Sequence, residues 1–288
     1  MTPQISQLFV YPIKSCAGVA VSSLQFDGKG PLFDRRWMLV DSETGVFLSQ
    51  REVPQMALIT TSIDKGGVFA RQSFHNELVA VIRLPCVGED SSVSQAELTD
   101  VQVWDDAVQG YDCGDDCADW FSQLLGRNCR LIYQGQCERF ASEKYAEKGT
   151  EVSFADGFPL LVVSQSSIDM LNSECESSVG AENFRPNIVI EGVEAFDEVN
   201  WCELQAKHFG MKVVKPCERC VIPTINQQTA KREADILKAL LKYCRKDKKI
   251  YFGQNLTFHP RFAEASGDGE AAGVSLCELR VGEVVDIR

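Results

Sequence analysis

The stretch Ile5-Ser6-Gln7-Leu8-Phe9-Val10-Tyr11 begins a series of short segments that decides the fold class of this chain. Each segment consists of alternating or mainly apolar β-forming residues, and turn-forming residues separate it from the next. Within the first hundred positions the further segments are residues 19–26, 36–41, 57–62, 68–73 and 78–83. Glycines in the turns at residues 27–30, 43–45 and 65–67 suit hairpin loops, because glycine tolerates a positive φ. Short strands at such regular spacing predict a barrel or a sandwich.

The remainder of the chain adds helices to this β pattern. Between Asp112 and Leu125 the apolar residues recur with a helical period, and Gly126 closes the predicted helix. Further helices are predicted at residues 166–175 and 234–246, and further strands at residues 130–133, 187–191, 212–214, 255–259 and 281–287. We therefore predict a mainly β fold with a few packed helices, divided into a β domain at residues 1–125 and a second domain at residues 126–288.

Polar or small residues make up two further stretches, at residues 143–150 and 268–273. Such stretches are typical of exposed loops, and binding sites often open beside loops of this kind. We expect both stretches to lie near the opening of a site.

The composition excludes several classes of partner. The chain has 288 residues and a formal net charge of −12, so its surface field repels nucleic-acid backbones and anionic lipid head groups. We expect neither a nucleic-acid nor a membrane partner. The N-terminal residues lack the features of a secretory signal, and no apolar run is long enough to span a bilayer, which predicts a cytoplasmic protein. Twelve cysteines in that reducing compartment are expected to be free thiols, metal ligands or catalytic groups.

The segment Cys-Glu-Arg-Cys at residues 217–220 is the most specific chemical feature of the sequence. Its two thiols lie beside Lys215 and Arg219, whose positive charges favour the thiolate form that binds soft metals or attacks electrophiles. A structural zinc site would require two more ligands at suitable spacing, and a thioredoxin-like role would require the pair to start a helix. A metal ligand, a reactive thiol and a pair of buried thiols therefore all remain open.

Three further motifs place cationic side chains at strand ends or turns. The motif Tyr-Pro-Ile-Lys-Ser at residues 11–15 ends a predicted strand with an ammonium and a hydroxyl group, which together suit a phosphate. The motif Asp-Arg-Arg-Trp occupies residues 34–37, and the motif Asn-Phe-Arg-Pro-Asn at residues 183–187 begins an apolar strand. Taken singly, the two arginine motifs fit ordinary structural ion pairs.

Together, and in this order, the four motifs resemble those of one family. They are similar to the MOSC proteins with an N-terminal MOSC-associated β-barrel domain, in the branch of the mitochondrial amidoxime-reducing component and its bacterial hydroxylaminopurine-detoxifying relatives. The resemblance extends from about Ile5 to the C-terminus. It implies a β-barrel MOSC core at residues 126–288, preceded by a β-barrel-like MOSC-associated domain at residues 1–125.

The resemblance also implies a cofactor and the residues that hold it. A molybdenum–molybdopterin cofactor is expected, with Cys220 as the catalytic residue and the protein ligand of the metal. The expected cofactor contacts are Lys14, Ser15, Arg35, Arg185, Asn187, Glu218, Arg219 and Asn255. The loop at residues 156–159 corresponds to a cofactor-lining loop in which some relatives have Thr-Ser, so contacts there are expected from backbone groups rather than from the side chains of Gly157 and Phe158. For the superfamily as a whole pyridoxal phosphate binding is also implied, with no residue assigned to it.

The implied reaction is the reduction of N-hydroxylated compounds to amines, with hydroxylaminopurines, amidoximes and hydroxylamines as the small substrates. The pterin dithiolene and Cys220 would supply three sulfurs to the metal, and the cofactor carries out the difficult step. The cysteines of the chain lack the spacing of a plant-type iron–sulfur site, so electrons are expected from a separate ferredoxin or flavodoxin and its reductase, or from a ferredoxin domain of a longer native chain. The alternative function is that of a sulfur-carrier or sulfurtransferase protein with a persulfide on Cys220.

Overall fold

A computed structural model of the chain describes residues 2–65, 67–74, 77–86, 97–207, 209–260 and 278–288. Ten strands belong to the first part of the chain: β1 (Gln4–Val10), β2 (Val19–Val21), β3 (Ser23–Asp27), β4 (Gly30–Pro31), β5 (Trp37–Asp41), β6 (Thr60–Asp64), β7 (Gly67–Phe74), β8 (Glu77–Leu84), β9 (Leu98–Val103) and β10 (Asp106–Asp112). The later strands are β11 (Cys129–Tyr133), β12 (Leu160–Ser164), β13 (Ile188–Glu191), β14 (Glu203–Ala206), β15 (Phe209–Glu218), β16 (Arg245–Lys246), β17 (Lys249–Pro260), β18 (Glu278–Arg280) and β19 (Asp286–Ile287).

Helices are few and short. The α-helices are α1 (Asp115–Leu125), α2 (Gln165–Ser173), α3 (Ala181–Phe184) and α4 (Ala234–Tyr243). Three 3₁₀ helices lie at Pro54–Leu58, Asp197–Asn200 and Ile222–Thr224. The described structure thus confirms the prediction of a mainly β fold with a few packed helices.

The strands form four sheets. The largest has the order β19-β14-β15-β17-β12-β13-β1-β2, and β16 pairs with β17 beside this path. A four-stranded sheet has the order β5-β11-β10-β9, and two three-stranded sheets have the orders β18-β3-β4 and β6-β7-β8. Most pairs are antiparallel, whereas β12 and β13 are parallel, and α2 and α3 lie in the connection between them.

Strands from the two parts of the chain pair within the same sheets. Strand β1 pairs with β13 from Gln4 opposite Glu191 to Leu8 opposite Ile188, and β11 pairs with β5. One hydrophobic core accordingly combines buried residues of β1 with residues far along the chain, among them Ile5, Leu8, Val162, Ile188, Leu204 and Leu256. A second core lies around α1 and the smaller sheets and includes Ile13, Trp37, Leu39, Phe121 and Leu131. Burial of apolar surface on both sides of these strands stabilises the joined structure.

The strand and helix predictions differ from the structure mainly at their ends. The segment 19–26 is split into β2 and β3, the segment 57–62 is partly a 3₁₀ helix, and α4 ends at Tyr243 rather than at residue 246. The predicted strand at 281–287 is wrong over most of its length, because the chain turns at Gly282 with a φ of 85° between β18 and β19. Strands β9, β10, β12 and β14 were not predicted.

The two predicted loops have different outcomes. Residues 143–150 form turns, and most of them are exposed, as predicted. Residues 268–273 lie outside the described residues. The predicted division at residue 125 stays a prediction, since strands from both sides of it share sheets.

No described helix has both the length and the apolar character needed to cross a membrane.

Candidate functional site

A cleft with about 860 Å³ of empty space, part of it open to solvent, lies between loops from both parts of the chain. Loops of the first part contribute residues 14–15, 35 and 47–51, and those of the second part contribute residues 155–161, 183–187 and 217–223. Every residue that the sequence predicted for the site lines this cleft: Lys14, Ser15, Arg35, Arg185, Asn187, Glu218, Arg219, Cys220 and Asn255. Folding therefore brings four motifs that are far apart in sequence to one place.

Backbone hydrogen bonds hold the first two motifs together. The N–H of Lys14 donates to the carbonyl of Trp37 at 2.8 Å, and the N–H of Arg35 donates to the carbonyl of Tyr11 at 2.8 Å. The N–H of Asn187 donates to the carbonyl of Leu161 at 2.8 Å. The ends of β1, β5 and β13 thereby meet at the cleft.

Lys14 is buried and paired with the exposed Asp156. Its Nζ donates to Asp156 Oδ1 at 2.5 Å and to the carbonyl of Phe154 at 2.8 Å. Burial lowers the pKa of Lys14 to about 8, although the Asp156 carboxylate opposes this change. Desolvation alone would raise the pKa of Asp156, but the attraction of Lys14 holds it well below its usual range. Asp156 also accepts a hydrogen bond from Trp104 Nε1 at 3.2 Å.

Arg35 is neutralised by Asp34 and positioned by Asn187. Arg35 Nη1 donates to Asp34 Oδ2 at 2.6 Å and to Asn187 Oδ1 at 3.2 Å. The Asn187 side chain makes three further hydrogen bonds, to the carbonyl of Phe9, to Asp34 Oδ1 and from the N–H of Leu161. Those four bonds use the full donor and acceptor capacity of the amide. Asn187 is therefore placed to hold Arg35 and Asp34.

Arg185 forms no ion pair with a described carboxylate. Its Nη1 donates to the carbonyl of Cys16 at 2.6 Å, whereas its buried Nη2 has no acceptor among the described residues. Burial and the neighbouring Arg35 lower the pKa of Arg185 to about 10. The guanidinium groups of Arg35 and Arg185 both lie over the ring of Tyr11, at 4.4 Å and 4.3 Å from its centroid. An unpaired buried donor of this kind is costly unless a ligand accepts from it.

Three of the predicted contacts have an unusual backbone conformation. Ser15, Arg35 and Arg185 have φ values of 67°, 50° and 57°, in the left-handed region that residues other than glycine rarely adopt. Strain of about 1–3 kcal/mol per residue persists only where the surrounding structure imposes it, and it is concentrated at functional sites. These three are among eight residues other than glycine with a positive φ in the described part of the chain.

Arg219 is held from two sides behind Cys220. Its Nε donates to the carbonyl of Phe252 at 2.8 Å and its Nη1 to the carbonyl of Phe184 at 2.9 Å. Its buried Nη2, like that of Arg185, has no acceptor among the described residues. The side chain passes close to Gly253, where an added Cβ would lie 3.3 Å from Arg219 Nη2.

Cys220 is an exposed thiol in the turn that follows β15. The backbone N–H of Ile222 donates to Cys220 Sγ at 3.5 Å. Cys217 also lines the cleft, but removal from water raises the pKa of its thiol although Arg219 opposes this. The nearby cations Arg219 and Lys215 favour the thiolate at Cys217 as expected, but desolvation outweighs them.

The structural-zinc alternative finds no support in the described part of the chain. There, no group of three or more His, Cys, Asp or Glu side chains is arranged to hold a metal ion. The cysteine pair also does not start a helix, because Cys217 lies within β15.

The two remaining predicted contacts lie on strands of the large sheet. Glu218 is exposed at the end of β15 and pairs with Lys249 at 2.7 Å. Asn255 in β17 donates from Nδ2 to the carbonyl of Lys215 at 3.1 Å. Both side chains are thus engaged with the protein while they border the cleft.

Four residues that take part in the site were not singled out from the sequence. Tyr11 lies against two guanidinium groups, Asp34 neutralises one of them, and Asp156 neutralises Lys14 through its side chain rather than its backbone. Arg51 lines the cleft with its guanidinium 4.3 Å from the ring centroid of Trp104. Tyr11 and Asp34 belong to the quoted motifs, whereas no pattern around Arg51 indicates its position.

The balance of charge in the cleft is opposite to that of the whole chain. Five cationic side chains line it, Lys14, Arg35, Arg51, Arg185 and Arg219, against two carboxylates, Asp156 and Glu218. In a protein of net charge −12, this local excess of positive charge focuses an attractive field on anions. The cleft is suited to an anionic ligand that reaches an exposed thiol.

Two family models match the chain in succession. The model described as MOSC N-terminal beta barrel domain matches residues 2–128, and the model described as MOSC domain matches residues 149–286. The chain is 31% identical over 260 residues to "Mitochondrial amidoxime reducing component 2" of Bos taurus, a match that covers 86% of this chain and 75% of the relative. It is 30% identical to "Mitochondrial amidoxime-reducing component 1" of Mus musculus, with 90% of this chain and 77% of the relative covered.

A third relative has a different name. The chain is 32% identical over 269 residues to "Molybdenum cofactor sulfurase" of Bos taurus, which covers 86% of this chain but only 29% of that longer protein. The order of the two matched domains and the identity to all three relatives agree with the resemblance inferred from the four motifs. This chain belongs to the family of proteins in which a MOSC N-terminal beta barrel domain precedes a MOSC domain.

Proposed function

We propose that this protein binds a molybdenum–molybdopterin cofactor through Cys220 and reduces N-hydroxylated compounds to amines. The observation that carries the proposal is the convergence of all nine predicted residues on one cleft. Relatives named for amidoxime reduction support the substrate class. Each turnover would use two electrons and two protons to convert an N–OH group to N–H and water.

The residues present fit this cofactor. Lys14, Arg35 and Arg185 offer one ammonium and two guanidinium groups to a phosphate, and the unpartnered Nη2 of Arg185 supplies a free donor. Cys220 offers a single exposed thiol, which suits a metal whose other sulfur ligands come from a pterin. Asn187 and Asp34 would keep Arg35 in place without touching the cofactor.

The protein side of the reaction consists of binding and orientation. When bound, the cofactor supplies the two-electron redox chemistry that amino-acid side chains lack. Cys220 is exposed at the cleft, whereas burial raises the pKa of the neighbouring Cys217 thiol, so Cys220 is the better placed of the two to bind the metal. Electrons would come from a separate donor protein, and the predicted cytoplasmic location is part of this proposal.

The test is metal and pterin analysis of protein expressed in a host that makes the cofactor. Wild type is expected to hold near-stoichiometric molybdenum and pterin. Cys220→Ser should lose the metal, because a hydroxyl is a poor substitute for a soft thiolate ligand. Cys202→Ser is the matched control, since Cys202 is also exposed and lies outside the residues that line the cleft.

The same analysis examines the anion-binding residues. Arg185→Met should lose pterin together with metal, whereas Arg127→Met, which alters an exposed arginine paired with Asp41, should retain both. Full retention in Arg185→Met would show that Arg185 is a structural residue only. Wild-type protein without pterin from such a host would contradict the proposal.

A sulfur-transfer function is the second candidate, and the match to "Molybdenum cofactor sulfurase" favours it. In this case Cys220 would carry a persulfide, and the cationic residues of the cleft would receive a cofactor only transiently. Mass spectrometry of intact protein distinguishes the two functions. A mass increase of one sulfur at Cys220, in protein without pterin, would support the carrier.

A further inference from the structure

Two lysines and two aromatic residues border the cleft beside the cysteine pair. We call Lys144, Tyr145, Phe158 and Lys215 the aromatic rim. Phe158 lines the cleft itself, and Lys215 lies two residues before Cys217 in β15. The rim is therefore next to the place where a substrate would approach Cys220, and no role for it follows from cofactor binding.

Tyr145 is at the centre of the aromatic rim and contacts each of the other three side chains. The ammonium groups of Lys144 and Lys215 each lie 5.0 Å from the ring centroid of Tyr145. The rings of Tyr145 and Phe158 meet edge to face, with centroids 6.3 Å apart. Two cationic groups and two aromatic faces are thus presented within one small area.

The positive charge of the aromatic rim is not neutralised. Neither Lys144 nor Lys215 forms an ion pair with a described carboxylate, whereas the nearby Lys249 is paired with Glu218 at 2.7 Å. A hydrogen bond from Lys144 and the charges of Lys144, Lys215 and Lys249 lower the pKa of the Tyr145 phenol. Unpaired ammonium groups around one ring, in a strongly acidic protein, form a local site for an anion.

The loop that carries Tyr145 is preorganised. The N–H groups of Tyr145 and Ala146 both donate to the carbonyl of Ser142 at 3.0 Å. At the base of the loop the N–H of Ala141 donates to the carbonyl of Thr150 at 2.8 Å, and Phe140 bridges to Glu151. The ring therefore needs little ordering when a ligand binds, which favours affinity.

We infer that the aromatic rim selects planar substrates that carry an anionic group, and specifically N-hydroxylated purine nucleotides over the uncharged nucleosides. The purine would stack against Tyr145 or Phe158, and Lys144 and Lys215 would bind the phosphate. This inference rests on the proposed function, which supplies the N-hydroxylated class. The small area of the rim and its two rings favour a nucleotide over an acidic protein partner, because protein docking uses a broader charged surface.

The first experiment compares two substrates on the loaded enzyme. Wild type should reduce 6-hydroxylaminopurine riboside 5′-monophosphate with a kcat/KM about three- to tenfold above that of the riboside, as expected for two exposed ion pairs. The double variant Lys144→Gln/Lys215→Gln should bring this ratio close to one. Lys242→Gln is the matched control, because Lys242 is an exposed lysine of α4 away from the cleft, and it should keep the wild-type ratio.

A second measurement does not depend on turnover. Calorimetric titration should show adenosine 5′-monophosphate binding more tightly than adenosine, with the difference lost in the double variant and reduced at high salt. Equal binding of the two probes to wild type would overturn the inference. A second result would also overturn the inference. If the double variant lowered the turnover of both substrates equally when the electron donor is limiting, the two lysines would bind the electron-donor protein rather than the substrate. Absence of turnover with either substrate would instead contradict the proposed function, and the titration would still test the rim.

Discussion

At the scale of single residues, the cations of the cleft differ in how fully the protein neutralises them. Lys14 has Asp156 as its partner and Arg35 has Asp34, whereas Arg185 has only carbonyl and ring contacts. A buried charge without a counter-ion is strongly unfavourable. The cost is offset if an anion binds there, so a phosphate that accepts from Arg185 would stabilise the protein.

Lys14 leads to a prediction of pH dependence. In the free cleft its pKa is about 8, below the ordinary 10.5, because burial disfavours the charged form. An anion needs the ammonium, so affinity for inorganic phosphate should be fully present well below pH 8 and fall as pH rises through that value. We expect a loss of roughly eightfold between pH 7.5 and pH 9, because the protonated fraction of Lys14 falls from about three quarters to about one tenth. Isothermal titration calorimetry of the cofactor-free protein measures this loss.

Lys14→Met provides the control for that titration. The variant should bind phosphate more weakly at pH 7.5 and show little further change up to pH 9. The Asp156 carboxylate beside Lys14 stays ionised across this range, because its pKa lies far below it. An equal decline of affinity in both proteins would show that another group controls the pH dependence.

At the scale of elements, one glycine of β17 allows this strand to pack closely against β12 beside the cleft. Gly253 has a φ of 75°, and an added Cβ would lie 2.7 Å from the carbonyl oxygen of Val162. Neither the conformation nor the space suits a side chain. This close approach joins β17 to β12 directly behind Arg219.

Gly253→Ala should therefore destabilise the protein by about 3 kcal/mol or more, because backbone strain and overpacking both contribute. Urea unfolding monitored by circular dichroism measures the change. Gly149→Ala measures the cost of backbone strain without overpacking. Gly149 has a φ of 82°, and no atom lies within 4 Å of an added Cβ. We expect about 1–2 kcal/mol for Gly149→Ala, from the left-handed conformation alone. Equal costs at the two sites would refute the role assigned to close packing.

At the scale of the whole molecule, the two parts of the chain depend on each other. Strand β1 covers the edge of β13, and Ile5, Leu8 and Val10 of β1 are buried in the core of the large sheet. Gln50 of the first part also exchanges hydrogen bonds with Gln227 of the second, at 3.3 Å and 3.2 Å. An uncovered β13 edge would expose unpaired backbone groups and apolar surface.

A fragment of residues 126–288 should accordingly fail to fold by itself. We expect it to be insoluble or to lack a cooperative thermal transition by circular dichroism, because the core of the large sheet is incomplete without β1. Co-expression with residues 1–125 should restore soluble protein, and the full chain is the reference. A sharp thermal transition in the isolated fragment would show that the second domain folds independently.

Much of the fold followed from sequence patterns, and the failures have physical causes. The segments at β1, β5, β7 and β8 were predicted closely, because each is a run of β-forming residues bounded by turn-forming residues. Strand β12 was missed although its five residues are all buried, since a short apolar run has no period that separates strand from helix. The predicted strand at 281–287 failed because the chain turns at Gly282, where Val281 and Val284 are exposed and Val285 is buried.

The sequence alone determined which chemical groups are available: a motif of two cysteines, three cationic motifs, and an acidic chain that makes those cations exceptional. Their order also indicated the family, which the domain matches confirmed. Only the tertiary structure decided which cations are neutralised, which of the two cysteines is exposed, and that lysines gather around Tyr145. The physical reason is that charge pairing and desolvation depend on distances of a few ångströms between residues far apart in the chain, and a local pattern contains no such distances.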